Sequence, residues 1–469
     1  MKAVLTTTCL ALLLAGCAVG PDYRRPAVDV PSGFRFQQPD ASDAALDTEW
    51  WKDFGDPVLD GYVSEALEHN RNLAIAVANV DAAAAQLTIA RASLFPTLDY
   101  QASASRGRSS SQQLLPGSQA GNSFELLGST SWQIDLWGAL RRQTEAAQAL
   151  LKASEQARRG VRLSVVSSTV QGYLQLRGLD QQLAIARRTA NSYADTVKLF
   201  ELQYQYGAIA RITLEQVRSQ YQSALASIPP IEASIVQTEN ALSLLLGRNP
   251  GPVMRGKPLA ELRLPPVPGA LPSSLLTRRP DILEAEARLV SANAKIGVAR
   301  AQYFPQLTLN AGIGSLATRT GSLLTAGAGI WSVAGALAGS VFSGGATVGA
   351  VRSAEASTRA AEQTYLQTIQ QAFADVENAL SGWQTSSQRL KSLEDLQASS
   401  REYADLAMLQ YQGGIANYLT VLDARRQLYS AEIDAASART GYLSNAVAVY
   451  LALGGDWGTA MQPQPRPTP

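Results

Sequence analysis

Chemistry has few openings in this sequence. One histidine, His69, stands alone, and the two cysteines, Cys9 and Cys17, both lie near the N-terminus, so no His and Cys set at metal-ligand spacing can form. A serine hydrolase would lack its imidazole base, because nothing around His69 offers a nucleophile. The glycine-rich run from Gly312 to Gly349 contains no Gly-x-x-x-x-Gly-Lys-Ser/Thr pattern, which argues against a nucleotide loop of that kind. Carboxylates occur singly along stretches of helical period, without the pairing that general acid and base work requires. Cys17 is the one thiol in a distinctive setting, following Leu14, Ala15 and Gly16 at the end of an apolar run. That setting suits modification of the cysteine itself, not turnover of a substrate.

The N-terminus explains the setting. Lys2 precedes an apolar run, Ala3 to Ala15, that is too short to span a bilayer and reads as a secretory signal. Its ending resembles a bacterial lipobox, which implies removal of residues 1–16 and attachment of diacylglycerol and an N-acyl chain to Cys17. The alternative is an ordinary signal peptide with an incidental cysteine. Ala18, not aspartate, follows Cys17, and by resemblance to bacterial lipoproteins this favours the outer membrane. The whole chain carries 40 basic and 39 acidic side chains, and cleavage would remove Lys2 and so equalise them. Such a balance gives no electrostatic reason to expect nucleic acid as a partner.

The elements form a repeated series. Residues 17–56 read as an irregular arm with Pro21, Pro26, Pro31 and Pro39, ending in Trp50, Trp51 and Phe54, which tack it onto the folded body. A first repeat over 57–248 begins with a short helix from Val58 to Glu68 and a longer one from Leu73 to Leu94, stopped by Pro96. The period then changes to two, with Leu98, Tyr100, Ala102 and Ala104 alternating with polar residues, and again at Thr130, Trp132, Ile134 and Leu136. This predicts an antiparallel hairpin over 97–136 with a long tip. From Gly138 to Tyr206 there is no proline, and apolar residues recur at helical spacing among alanines. As one helix this stretch is roughly 100 Å long, far more than a compact core needs. Gly207 marks a reversal, and a return helix over 209–246 must break near Ile228 because of Pro229 and Pro230.

After a proline-rich connector, 249–272, the series recurs in a second repeat over 273–455. The run Ala90-Arg91-Ala92 through Phe95-Pro96 is matched by Ala299-Arg300-Ala301 through Phe304-Pro305, and Leu202-Gln203-Tyr204 with Gly207 by Leu409-Gln410-Tyr411 with Gly414. The repeat therefore predicts a hairpin over 306–342, a long helix over 345–412 and a return helix over 415–453. The fourth strand, within Thr325 to Phe342, is blurred by glycine and alanine. Residues 456–469 read as a disordered, proline-alternating tail.

Only four strands are available, each long enough to cross a bilayer when tilted. Four strands cannot close a barrel, and open edges are too costly in lipid. If the sheet lies in a membrane, strands must be pooled between copies: two chains would give eight, three would give twelve. Each chain also brings two helical hairpins with turns at Gly207 and Gly413-Gly414, at the far end from the strands. Six such hairpins would make a hollow ring whose small side chains suit close packing.

Several segments together resemble the outer-membrane efflux proteins of the TolC-like superfamily, in particular the lipoprotein branch serving tripartite pumps of the resistance, nodulation and division class. They are Leu14 to Cys17, Trp50-Trp51 through Asp56-Pro57, the two Phe-Pro entries, Asp135-Leu136-Trp137-Gly138, and Tyr411 through Gly414-Ile415-Ala416-Asn417 to Ala424. The resemblance implies a homotrimer: a twelve-stranded β-barrel in the outer membrane, four strands per chain, continuous with a long α-helical periplasmic barrel. It also implies a periplasmic adaptor protein at the helical tips, linked to a proton-driven inner-membrane transporter, and passive conduction of small solutes without enzymatic activity. The same fold serves type I secretion of polypeptides. A lipid-anchored, non-conducting structural or binding protein of the periplasm is the alternative of another class.

By the same resemblance, Asp423 matches an acidic position near the periplasmic constriction, while Thr420 stands one turn earlier where many relatives carry a second acid. Three carboxylates around a narrow pore would favour cations, whereas helix spacing also allows Asp423 to pair with Arg426 on its own helix. Gly207, Gly413 and Gly414 are adaptor-contact positions by resemblance, and a tight reversal itself calls for glycine. Tyr100, Trp132, Trp137, Trp331 and Phe342 lie where aromatic girdles would meet lipid headgroups, or else serve as plain core residues. Phe342-Ser343-Gly344-Gly345 resembles the Phe-x-Gly-Gly turn of this superfamily, with Ala346 replacing the basic residue often found just beyond it.

Overall fold

The computed structural model of the protein describes residues 18–36, 49–108, 120–266 and 272–455. The signal segment, Cys17 and the 456–469 tail lie outside the described residues. The elements in chain order are α1 (Pro57–His69), α2 (Arg71–Ala92), β1 (Thr97–Gly107), β2 (Gly121–Ile134), α3 (Ala139–Gln205), α4 (Arg211–Ala226), α5 (Ile228–Leu245), α6 (Pro272–Arg278), α7 (Pro280–Ala301), β3 (Gln306–Ala317), β4 (Gly329–Ala338), α8 (Ala346–Gln412) and α9 (Tyr418–Ala452). The chain divides into two compact units, one of residues 1–27, 79–155 and 284–366, the other of residues 28–78, 156–283 and 367–469.

The first unit holds the sheet. Its four strands run antiparallel in the order β1-β2-β3-β4, so the two hairpins are joined side by side through β2 and β3. The register sorts most of the side chains by face, with Leu127, Leu316 and Ile330 as the large apolar exceptions on the second face. Leu98 and Tyr100 of β1, Phe124, Leu126 and Trp132 of β2, Leu307, Leu309 and Ile313 of β3, and Trp331, Val333 and Leu337 of β4 fall on one face. The other face carries Asp99, Gln101, Ser103, Glu125, Ser129, Ser131, Thr308, Asn310 and Ser332. Much of the apolar face is bare: Tyr100, Leu98, Trp331 and Val333 are 89%, 85%, 78% and 76% exposed. Among the described residues, the outer edges of β1 and β4 have no strand partner.

Both hairpins are entered in the same way. Leu94 N–H donates to the Arg91 carbonyl at 3.0 Å and Phe95 N–H to Ala92 at 3.0 Å; in the second repeat Tyr303 donates to Arg300 and Phe304 to Ala301, each at 3.1 Å. A single tightened turn followed by proline thus converts helix to strand twice. The β4 strand stops at Ala338, so the expected reach to Phe342 is too long. Gly339 and Gly344-Gly345 carry no side chains to pair across the sheet, and Phe342 sits beyond the strand, 88% exposed.

The second unit is helical. Asp56 caps α1 by accepting from Val58 N–H at 3.0 Å, and proline at the first turn fits there because its missing donor would have gone unused. Residues 57–92 include a stretch apolar enough to cross a membrane, with mean hydropathy 1.6. However, the backbone breaks at Asn70 (ψ 128°), whose side chain donates to the Leu245 carbonyl and accepts from Leu73 N–H. His69 closes α1, two residues before α2 begins at Arg71, and its side chain is 56% exposed.

Pro229 and Pro230 end one helix and begin the next, separating α4 from α5 at Ser227. The second repeat has no proline there, and α9 runs unbroken. The long helices α3 and α8 have 67 residues each. Trp50, Trp51 and Phe54 are buried, with Trp50 stacked on Tyr450 at 4.7 Å, so the end of the arm is anchored in this unit's core.

Candidate functional site

The start of α9 carries the constriction candidates. Asn417 caps the helix, its side-chain oxygen accepting from Thr420 N–H at 3.2 Å and from Thr420 Oγ1 at 3.3 Å, so the Thr420 hydroxyl is spent on the cap. One turn on, the Asp423 carboxylate accepts from Arg426 at 2.8 Å and from Gln427 Nε2 at 2.7 Å. Within one chain, then, this carboxylate carries its own cation on its own helix. Between α4 and α9 lies an open groove of about 600 Å³, lined by Ile212, Glu215, Gln216, Leu419, Leu422, Asp423 and Arg426.

The two helix reversals nearby are built alike. Gly207 N–H donates to Tyr204 and Ala208 N–H to Gln203; Gly414 N–H donates to Tyr411 and Ile415 N–H to Gln410. Both Gly207 (φ 73°) and Gly414 (φ 71°) are left-handed, closing the helix ends in a Schellman arrangement. Gly413 is different: its φ is not positive, so the turn does not require glycine at that position. Gly207→Ala and Gly414→Ala should each cost about 1–2 kcal/mol, whereas Gly413→Ala should be neutral or better. Thermal melts of the three purified variants would show two lowered midpoints and one unchanged. Behind the turns, Phe200, Tyr411 and Tyr418 pack ring against ring, Phe200 and Tyr418 at 4.3 Å. Burial pushes the Tyr418 phenol above its ordinary range.

A second constellation lies where β2 passes into α3. Asp135 accepts from Leu140 N–H at 3.0 Å and Arg141 N–H at 2.9 Å, capping the long helix. Trp137 stacks on Phe304 at 4.6 Å and donates to the Pro305 carbonyl at 2.8 Å, so it ties the exit of the first hairpin to the entry of the second. Gly138 is left-handed (φ 78°), and a Cβ there would meet Ala18 Cα at 2.8 Å. Val19 N–H donates to the Trp137 carbonyl at 3.0 Å. The residues just after Cys17 are therefore seated at the base of the sheet, although Cys17 itself lies outside the described residues. Among the aromatic candidates, Tyr100, Trp132 and Trp331 project from the apolar face, Trp137 is half-buried, and Phe342 is exposed beyond β4.

Two polar centres escaped the sequence reading, which placed carboxylates singly on exposed faces. Asp56 is fully buried: besides capping α1 it accepts from Tyr173 Oη at 2.6 Å and Lys257 N–H at 2.9 Å. Burial, then the bond to Asp56, raises the Tyr173 phenol well above its usual range. Glu432 on α9, also buried, accepts from Arg188 of α3 at 2.6 Å and Arg401 of α8 at 2.8 Å, tying three helices together.

Comparison with known proteins places this geometry. The family model described as "Outer membrane efflux protein" matches twice, over residues 62–248 and 271–455, which are the two repeats. The chain is 32% identical over 464 residues to the probable efflux pump outer membrane protein TtgC of Pseudomonas putida, covering 97% of this chain and 96% of that one. It is 33% identical to the cation efflux system protein CusC of Escherichia coli, covering 96% and 98%. The structure superposes on the open state of the MtrE outer membrane channel of Neisseria gonorrhoeae with a TM-score of 0.85 at 31% identity, covering 94% and 98%. The bare, strand-poor sheet, the duplicated helical hairpins and these matches agree: the chain belongs to the outer membrane efflux protein family and is a channel component of the outer membrane, not an enzyme.

Proposed function

We propose that three copies of this chain pool their strands into a twelve-stranded barrel and pass small solutes outward, as the outer-membrane duct of a tripartite efflux system. The observation that carries this reading is a four-stranded sheet with one bare apolar face and two edges that have no strand partner among the described residues. Lipid cannot satisfy the edge N–H and C=O groups, and a neighbouring copy can. The alanine-rich α2 leaves Ile75 and Ile89 58% and 61% exposed, which supports a further surface covered by another copy.

In this assembly the tips at Gly207, Gly413 and Gly414 would meet a periplasmic adaptor coupled to a proton-driven inner-membrane transporter. Asp423 would ring the periplasmic constriction three times over. Because each copy brings Arg426 against its own Asp423, and Thr420 in place of a second acid, the ring's net charge is low and its ion selectivity weak. The seating of Ala18 against Gly138 supports acylation of Cys17, since it holds the arm's start beside Trp137 at the sheet's base, where diacyl and N-acyl chains could enter the bilayer directly. The relatives are named for toluene and for cations; a blunt, charge-compensated duct leaves the choice of cargo to the inner-membrane pump.

Single-channel recording in planar bilayers tests the reading. Stepwise conductance is expected from the purified chain. Stable trimers that never conduct, alone or with the adaptor, would instead mark a structural spacer.

A further inference from the structure

The charges of the sheet are sorted by face. Asp99 and Glu125, the carboxylates within the four strands, lie on the polar side, where Glu125 accepts from Ser103 Oγ at 3.2 Å. Arg106, the one basic residue within the strands, belongs instead to the apolar set of Leu98, Tyr100, Ala102 and Ala104. It sits at the end of β1 remote from α2, one residue before the strand stops.

The register extends this position into a row. Arg106 is opposite Asn122. The last paired row of β2 and β3 is Phe124 with Ala317; continuing that pairing by two residues brings Asn122 level with Arg319, which lies past the end of β3 where the chain begins to bend, its own backbone still extended at φ −135°, ψ 140°. Arg106 on β1, Asn122 on β2 and Arg319, two residues past the end of β3, thus lie just beyond Ala104, Phe124 and Ala317. With strands about 4.8 Å apart, the two arginine backbones are separated by roughly 10 Å, close enough for their guanidinium groups to converge on one ligand. Arg108 has the same parity as Arg106, one row further out. All three arginines are exposed, and among the described residues none is in an ion pair.

We propose that Arg106, Asn122 and Arg319 form a phosphate-binding row on the lipid-facing side of the barrel's outer rim, taking the phosphorylated sugar headgroup of an outer-leaflet glycolipid. This rests on the barrel reading given above. The row ends an apolar band, so the anion that reaches it is one carried by a lipid whose chains lie along Phe124, Leu126 and Ile313. At this depth a guanidinium costs little, and its planar fork matches phosphate oxygens bidentately while the Asn122 amide supplies a further donor. The carboxylates that could compete for the arginines are on the opposite face.

The test titrates the purified, conducting full-length protein in detergent with fluorescent bisphosphorylated lipid A and with its fully dephosphorylated counterpart. The wild type should prefer the phosphorylated lipid. Arg106→Gln with Arg319→Gln should weaken that binding about tenfold or more, from the loss of two charge-assisted contacts, without changing the dephosphorylated lipid or the conductance. Arg106→Lys with Arg319→Lys should retain most of the preference. Equal binding of both lipids by the wild type, an unchanged glutamine variant, or complete competition by inorganic phosphate would overturn the assignment. A wild type that conducts yet ignores the phosphates sinks this row alone; one that forms neither trimer nor pore sinks the efflux-duct reading with it.

Discussion

Val333→Arg should abolish accumulation of the protein as an outer-membrane trimer, while Ser332→Arg, one residue away, should leave it in place. Val333 lies near the middle of β4 on the apolar face and is 76% exposed in the single chain. An arginine at the bilayer midplane of a lipid-facing strand costs about 2–4 kcal/mol, and three copies would multiply this to about 6–12 kcal/mol per assembly. Ser332 pairs with Gly312 on the polar face, where a charge would meet water. Membrane fractionation with unheated electrophoresis reads both outcomes. Equal loss from the two substitutions would mean that neither face is singled out by lipid.

Asp56→Ala should be the most damaging substitution in the helical unit. It removes the cap of α1, worth about 1 kcal/mol, and leaves the Tyr173 hydroxyl and Lys257 N–H buried without an acceptor, at about 1–3 kcal/mol each. A loss of about 3 kcal/mol or more is expected, with release of the connector from α3. Asp53→Ala, at an exposed neighbour, should be close to neutral. Thermal melts of the detergent-solubilised proteins compare the two, and matching midpoints would contradict the role given to Asp56.

What could be read from the sequence was local. The Phe-Pro entries, the break at Pro229-Pro230 and the strand alternation around Tyr100 and Trp132 each rest on residues adjacent in the chain, and the structure places elements there within a few residues. The fourth strand ends at Ala338, earlier than the sequence suggests, because Gly339 and Gly344-Gly345 give no alternation to follow. Gly413 and Gly414 looked equivalent, yet only the second must be left-handed, a distinction made by the backbone and not by residue type. Asp56 and Glu432 could not be recognised because their partners come from distant helices: Tyr173 is 117 residues from Asp56, and Arg188 is 244 from Glu432. The arginine row was similarly hidden, since Arg106 and Arg319 belong to different repeats and meet only through the register of β2.

In the proposed assembly one chain supplies a third of a sealed cylinder. The most direct measurement is the mass of the purified protein particle in mild detergent, by native mass spectrometry. Three copies per particle are expected, persisting on dilution. A stable single copy would leave both edges of the sheet open and contradict a shared barrel.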